Sequence, residues 1–362
     1  MNKFRSGLVF LFVIILAGCG GNNDVPGKPK FAAQVSFGDS LSDVGSYDVG
    51  IVAGVGGGQF TINAASTVKA TTPTNWTEFT SLSLGLGMPC AAETGLDDAA
   101  GTYYVASAVH ATCTGYAQGG ARVTIPYGIG NKNVPPSGGF ALTVPVVTQI
   151  QNYLTEHAGS FSGNEFVTVM AGANDVFLAA NSVGSVAGYT PTSGVIAVQT
   201  AASELAADVK TKILANGAKY VAVVNVPDIG STPQVTSIAD PTIRAQTKGL
   251  IDLLVSSFNA QLKVSLPDSA NVLNVDAFSA SKDEVANPLK YNLTNVADTA
   301  CNLAAPVPNP FASSLGCNAG NLNAGVTASS HYLFADKVHP TPYGHLLFAT
   351  YMLQAMTNKS WY

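Results

Sequence analysis

Ala33-Gln34-Val35-Ser36-Phe37-Gly38-Asp39-Ser40-Leu41-Ser42-Asp43 is the stretch from which the architecture is read. Its first half, Ala33 to Phe37, is a short run of the kind that forms a buried strand, and Gly-Asp-Ser is the turn that leaves it. Three later runs repeat the pattern and end in Gly, Asn or Asp: Glu165 to Ala171, Tyr220 to Val226 and Asn271 to Val275. Helical patterns lie between them. One runs from Thr143 to His157, and a longer one from Val195 to Ala215, entered from Thr192-Ser193 and stopped by Asn216-Gly217. Asp240 caps Pro241 and opens a helix to about Leu266, and a last helix runs from Pro342 to about Met356. Strands alternating with helices predict an α/β fold, a parallel sheet covered on both faces.

No internal repeat and no linker between two cores follows residue 30, so residues 31–362 read as one domain. Four irregular segments stand out: 45–75, Cys90 to Gly115, Asn181 to Ser193, and 300–330. Loops of that length are functional or disordered, and ligands in such folds bind at the carboxyl edge of the sheet, where these loops are expected.

The amino terminus reads as an export signal. Lys3 and Arg5 precede an apolar run from Gly7 to Leu16, which is too short to span a bilayer about 30 Å thick. Leu16-Ala17-Gly18-Cys19 is what a lipoprotein signal peptidase cuts, so residues 1–18 are expected to be removed and Cys19 to carry lipid. Residues 19–30, with Gly20-Gly21-Asn22-Asn23, read as a flexible tether. Position 20 is not Asp, which in a Gram-negative cell leaves the outer membrane as the destination. The expected location is the bacterial envelope.

Charged residues are 11% of the chain, against about 25% in ordinary soluble domains. The net charge of −5 leaves no basic stripe to neutralise phosphates and argues against a nucleic-acid partner. Setting Cys19 aside leaves four cysteines, an even number that suggests two disulfides in an oxidising compartment. Of three possible pairings, Cys90–Cys113 and Cys301–Cys317 close the shortest loops. No CxxC or HExxH is present, and no metal or cofactor is expected.

Ser40 acquires meaning from Asp336-Lys337-Val338-His339-Pro340, almost three hundred residues later. A serine hydroxyl needs a base to take its proton, and the base needs an acceptor that holds its tautomer. Asp336 and His339 are three apart and share a face in a helical or turn-like stretch. The G-x-S-x-G elbow is absent, because Gly38-Asp39-Ser40-Leu41-Ser42 lacks the second glycine.

Four blocks in order resemble those of the GDSL, or SGNH, hydrolases. They are Gly38-Asp39-Ser40-Leu41, Gly115-Tyr116-Ala117-Gln118-Gly119-Gly120-Ala121, Ala171-Gly172-Ala173-Asn174-Asp175, and Asp336-x-x-His339-Pro340. The resemblance implies a flavodoxin-like three-layer α/β/α fold. It also implies Ser40 as nucleophile, His339 as general base and Asp336 as its orienter. The implied oxyanion hole combines the Ser40 N–H, the Gly120 N–H and the Asn174 amide, with Gly119 the alternative donor if the block is shifted by one. The first and last blocks look most like the lipase, phospholipase and haemolysin branch. The departure is Val44-Gly45-Ser46, where that branch often has Thr/Ser-Gly-Asn.

The expected activity is therefore hydrolysis of carboxylic esters by an esterase or lipase. A phospholipase, lysophospholipase or acyltransferase of the same family is the alternative. A surface lipoprotein that keeps the fold as a binding module is the competing class. The expected partners are an ester substrate and, through Cys19, a membrane. His345 is read as a residue of the last helix, and His331 as one that could line the pocket.

Overall fold

The computed structural model describes residues 27–97, 101–134, 139–304, 311–327 and 329–362. The expected signal segment 1–18, Cys19 and most of the 19–30 tether lie outside the described residues. In chain order the strands are β1 (Ala33–Gly38), β2 (Glu93–Leu96), β3 (Val105–Val109), β4 (Glu165–Met170), β5 (Tyr220–Val224), β6 (Val272–Val275), β7 (Asn295–Thr299) and β8 (Tyr332–Phe334). The helices are α1 (Gly50–Gly54), α2 (Trp76–Ser83), α3 (Val146–Glu156), α4 (Ala173–Ser182), α5 (Pro191–Asp208), α6 (Pro233–Thr236), α7 (Pro241–Ser265), α8 (Ala277–Ala286) and α9 (Pro342–Asn358).

The central sheet is parallel, in the order β1-β4-β5-β6, built from the four runs named above. Successive residues of a strand face opposite sides, and both sides here are apolar. Val35, Phe37, Val167, Val169, Val221 and Val223 pack under α3, α4, α5 and α7. Phe166, Met170, Ala222, Val224 and Val275 face the other way, against Trp76 of α2 and Met352 and Met356 of α9. The result is the expected α/β/α layering. Register places Gly38, Met170, Val224 and Val275 along one edge, so the turns after the strands share one end of the sheet.

The long helices begin where their caps are. Thr190 accepts from the Ser193 N–H, so α5 starts at Pro191, four residues before the periodic pattern suggested. After Asp208 it continues as π-helical turns, Val209–Leu214, and the chain turns away at Gly217, whose φ is +106°. Asp240 caps α7 through the N–H groups of Thr242 and Ile243, as expected. Both disulfides, Cys90–Cys113 and Cys301–Cys317, form with the shortest-loop pairing.

Several elements lie where the sequence pattern suggested loop. The Cys90–Gly115 excursion contains the antiparallel pair β2/β3, and the last irregular stretch is bounded by the parallel pair β7/β8. Helices α2, α4 and α8 are eight to ten residues long, too short for a periodic signal to stand out. Among the described residues no helix is long and apolar enough to cross a membrane.

Candidate active site

Ser40 stands two residues beyond the end of β1, in a turn that the sheet itself shapes. A Cβ on Gly38 would lie 2.2 Å from the Met170 carbonyl oxygen, so only glycine lets β1 run this close to β4 at its exit. Gln149 of α3 clamps the same residue: the Gly38 N–H donates to its Oε1 at 2.9 Å, and its Nε2 donates to the Gly38 carbonyl at 2.8 Å. The turn closes through Ser42 N–H to the Asp39 carbonyl (3.0 Å) and Leu41 N–H to the Asp39 carboxylate (3.1 Å). Ser40 is 9% exposed.

His339 arrives from the opposite end of the chain. Its Nε2 lies 2.8 Å from Ser40 Oγ, and its Nδ1 lies 2.8 Å from Asp336 Oδ2 and 3.0 Å from Oδ1. The pair sits in a bend between β8 and α9. Asp336 Oδ1 accepts the backbone N–H groups of Val338 (2.9 Å) and His339 (2.8 Å), and Oδ2 accepts that of Ser314 (2.8 Å). The Phe60 ring lies against the imidazole, centroids 4.9 Å apart.

Beside the serine are the two glycines and the asparagine. The Gly119 N–H donates to Asp43 Oδ2 at 2.8 Å, and a Cβ there would strike the Phe60 ring at 2.1 Å. Among the described residues the Gly120 N–H has no acceptor. Its φ of +81° suits glycine, and a Cβ would meet the Ile129 carbonyl at 2.0 Å. Asn174 lies in the first turn of α4, after Gly172. It spends one amide N–H on the Ala121 carbonyl (2.9 Å), which leaves the other to donate elsewhere. Asp175 pairs with Arg122 Nε at 2.9 Å and accepts the Val123 N–H at 3.1 Å. The start of α4 is thereby tied to the Gly119–Val123 segment.

The buried carboxyls differ in charge preference. Burial lifts Asp39 to about 7, opposed by the Leu41 N–H and the nearby His339. Burial also raises Asp43, although it accepts from Gly45, Ser46 and Gly119. Burial pushes Asp336 up as well, but there the His339 charge and the hydrogen bonds from His339 and Ser314 win and hold it well below the usual carboxylate range. Asp336 is thus the anion that can steady an imidazolium.

Of the remaining histidines, none approaches the serine as a base. His345, in α9, is fully buried and hydrogen-bonds the Phe60 backbone; burial and the neighbouring His339 push it down to about 3, so it is neutral. His331 stacks on Tyr343 and bonds to Asn292 rather than lining a pocket with Ser40. His110 bonds to Thr94, and His157 stacks on Tyr153. Among the described residues no group of three His, Cys, Asp or Glu could hold a metal ion.

Asp43, Phe60, Gln149 and Ser314 were not singled out by the sequence. Gln149 did carry a signal, as a polar residue on the apolar face formed by Val146, Ile150 and Tyr153. Asp43 sits three residues after Ser40, where the departure at Val44-Gly45-Ser46 drew attention away. The hydrogen bonds it accepts show how the loop is held without the branch's usual Asn: Gly45 and Ser46 donate their N–H groups to Oδ1. Phe60 and Ser314 had no local signal.

A family model described as GDSL-like Lipase/Acylhydrolase matches residues 35–352. The chain is also 30% identical over 92 residues to Lipase 1 of Photorhabdus luminescens, a match covering 25% of this chain and 12% of that protein. The matched region is a small fraction of that relative's length.

Proposed function

Because the chain belongs to the GDSL-like lipase/acylhydrolase family of serine ester hydrolases, we propose that it is an esterase or lipase working through a Ser40 acyl-enzyme. The observation that carries this reading is the 2.8 Å approach of His339 Nε2 to Ser40 Oγ, with buried Asp336 behind it. In the first half-reaction Ser40 Oγ attacks the ester carbonyl carbon and His339 Nε2 takes the hydroxyl proton. Asp336 holds Nδ1–H and offsets the charge of the imidazolium. The oxyanion is received by the N–H groups of Ser40 and Gly120 and the free amide N–H of Asn174. Donors already fixed in place before the charge develops lower the barrier. The alcohol leaves with the proton from His339. Water then attacks the acyl-enzyme with His339 again as base, releasing the acid and restoring Ser40.

We further propose that residues 31–362 are the hydrolase domain, that residues 1–18 are removed, and that Cys19 carries lipid at the outer membrane. The support is Leu16-Ala17-Gly18-Cys19 and the start of β1 at Ala33, beyond a short tether. The anchored enzyme would then take its esters from the envelope or a nearby surface.

The test is hydrolysis of p-nitrophenyl esters from acetyl to palmitoyl by the purified full chain and by Ser40→Ala. Turnover that falls on the order of 10⁴-fold or more in Ser40→Ala supports the reading, and the chain-length optimum divides esterase from lipase. A Ser40→Ala protein as active as the parent defeats it. Folded parent protein that neither turns over nor takes up a fluorophosphonate label favours the binding-module class. The anchor is read separately, by the mass of the amino-terminal peptide and by release of Cys19→Ser protein from membranes.

A further inference from the structure

We propose that Lys337 and the cleft it borders receive an anionic group, phosphate or carboxylate, carried by an amphipathic ester substrate. The inference rests on the Ser40 acyl-enzyme reading and narrows its substrate class. The cleft, about 660 Å³, lies between α4, α6 and α7 and opens beside the Asp336–His339 bend; Phe177, Val235, Ile238 and Leu250 form its apolar wall.

Two features join this cleft to the reacting centre. Phe177 follows Asn174 by three residues on α4, so the two side chains occupy one face a turn apart. Lys337 sits inside the bend between Asp336 and His339, and its carbonyl accepts the Gln234 N–H at 2.8 Å, which ties the bend to α6. Through Phe177 and the backbone of Lys337 the cleft borders the two segments that carry Asn174 and His339.

The charge pattern selects the ligand. Among the described residues Lys337 is the only charged one lining the cleft, and no carboxylate lines it. Lys69, Lys132, Lys212, Lys248 and Lys290 each stand 2.5–2.7 Å from an aspartate. Lys337 is exposed and, like Lys210, Lys219, Lys263, Lys282 and Lys359, has no such partner among the described residues; what sets it apart is its place on this cleft beside the Asp336–His339 bend. Its chain neighbour Asp336 does not neutralise it, because that carboxylate is buried and directed to His339 and backbone N–H groups. A cation at one end and a hydrocarbon wall at the other suit a molecule with an acyl or alkyl body and one negative group. Phosphate on the alcohol side and carboxylate on the acyl side share that chemistry.

The experiment compares three esters with the full chain: neutral p-nitrophenyl butyrate, the p-nitrophenyl monoester of glutaric acid, and lysophosphatidylglycerol. Lys337→Gln should lower kcat/KM for an anionic ester, relative to the neutral one, by about tenfold through KM. Lys337→Glu should lower it further and Lys337→Arg should restore it. Loss on the glutarate ester places the anion on the acyl side; loss on the phospholipid places it on the alcohol side. An anionic-to-neutral ratio that is the same in all four proteins overturns the inference and leaves the Ser40 reading intact. Calorimetry of octyl phosphate with Ser40→Ala protein reads the cleft without turnover. Saturable binding weakened about tenfold by adding Lys337→Gln supports the inference even if ester hydrolysis fails, and binding indifferent to Lys337 overturns it.

Discussion

The two halves of the site are held by different parts of the molecule. Ser40, Asn174 and the Gly119–Ala121 turn hang on the end of the sheet: on β1, on α4 directly after β4, and on a segment bonded to both. Their placement follows from strand register, the clamp of Gln149 on Gly38, and a glycine that lets two strands touch. The Asp336–His339 bend has only the short strand β8 beneath it. It is held from outside, by the Ser314 N–H on Asp336, the Phe60 ring on His339, and Thr61 Oγ1 donating to the Pro340 carbonyl at 2.9 Å. Ser40 therefore belongs to the scaffold, and the Asp336–His339 pair to the excursions. Loops 45–75 and 300–330, the segments with the least regular pattern, complete the chemistry.

The most severe way to break that comparison is Asp336→Asn. It keeps an acceptor on Oδ1 for the bend's backbone but removes the anion that holds Nδ1–H and turns an amide nitrogen toward the Ser314 N–H, so kcat should fall about 10⁴-fold with the melting temperature only modestly lowered. Steady-state kinetics beside a thermal melt checks it. A loss of activity matched by loss of fold would mean that Asp336 acts through structure rather than through His339.

The disulfides sharpen the comparison next. Cys301–Cys317 secures the loop half: the Cys301 N–H donates to the Ala335 carbonyl at 2.9 Å, and the Cys317 carbonyl accepts the Asn63 N–H at 2.8 Å. Cys90–Cys113 instead pins the β2/β3 excursion beside β1. Each closes a loop of a size worth about 3 kcal/mol. Replacing either pair by alanine should cost stability of that order, but only the Cys301/Cys317 variant should lose kcat under conditions where both are folded. Equal kcat in the two folded variants would contradict the division of labour.

The smallest expected effect probes the sheet half through pH. Burial lifts the folded carboxyl of Asp39 to about 7, above the ordinary Asp value of about 4. Between those values the folded state binds the extra proton. Its contribution to stability is therefore present below about pH 4 and is lost as pH rises through 7. Asp39→Asn keeps an acceptor for the Leu41 N–H and removes the charge, so the variant's melting temperature should decline less from pH 5 to pH 8 than the parent's. Parallel pH profiles for the two proteins would show that Asp39 is not the group responsible.

How much could be read in advance follows the same division. The four sheet strands and the long helices α3, α5, α7 and α9 carry their own signals, in apolar runs, helical periodicity and caps such as Asp240. Ser40, Asn174, Asp336 and His339 stood out because each lies in a block recognisable within a few residues. Helices α2, α4 and α8 were too short to produce a period, and the hairpin β2/β3 lies inside a stretch of small and polar residues. Phe60 and Ser314 were invisible for a different reason: an aromatic in a glycine-rich loop and a serine N–H acquire a role only from what they touch. Gly119 and Gly120 looked interchangeable in sequence. The Asp43 carboxylate occupies the N–H of Gly119 and leaves that of Gly120 open.

The residue order alone set the alternation of strand and helix in the sheet, an even set of cysteines with the short-loop pairing as one of three possibilities, and the blocks in which Ser40, Asp336 and His339 stand. Local pattern suffices there, because periodicity, caps and short-range closure are decided within about ten to twenty-five residues. Tertiary structure decided that His339 meets Ser40 across 299 positions, that Phe60 braces His339 and Ser314 braces Asp336, and that Lys337 borders a cleft with no counter-charge among the described residues. Those facts depend on distances between segments remote in sequence. Such distances are set by how the two apolar faces of one sheet pack, and no short stretch of sequence encodes them.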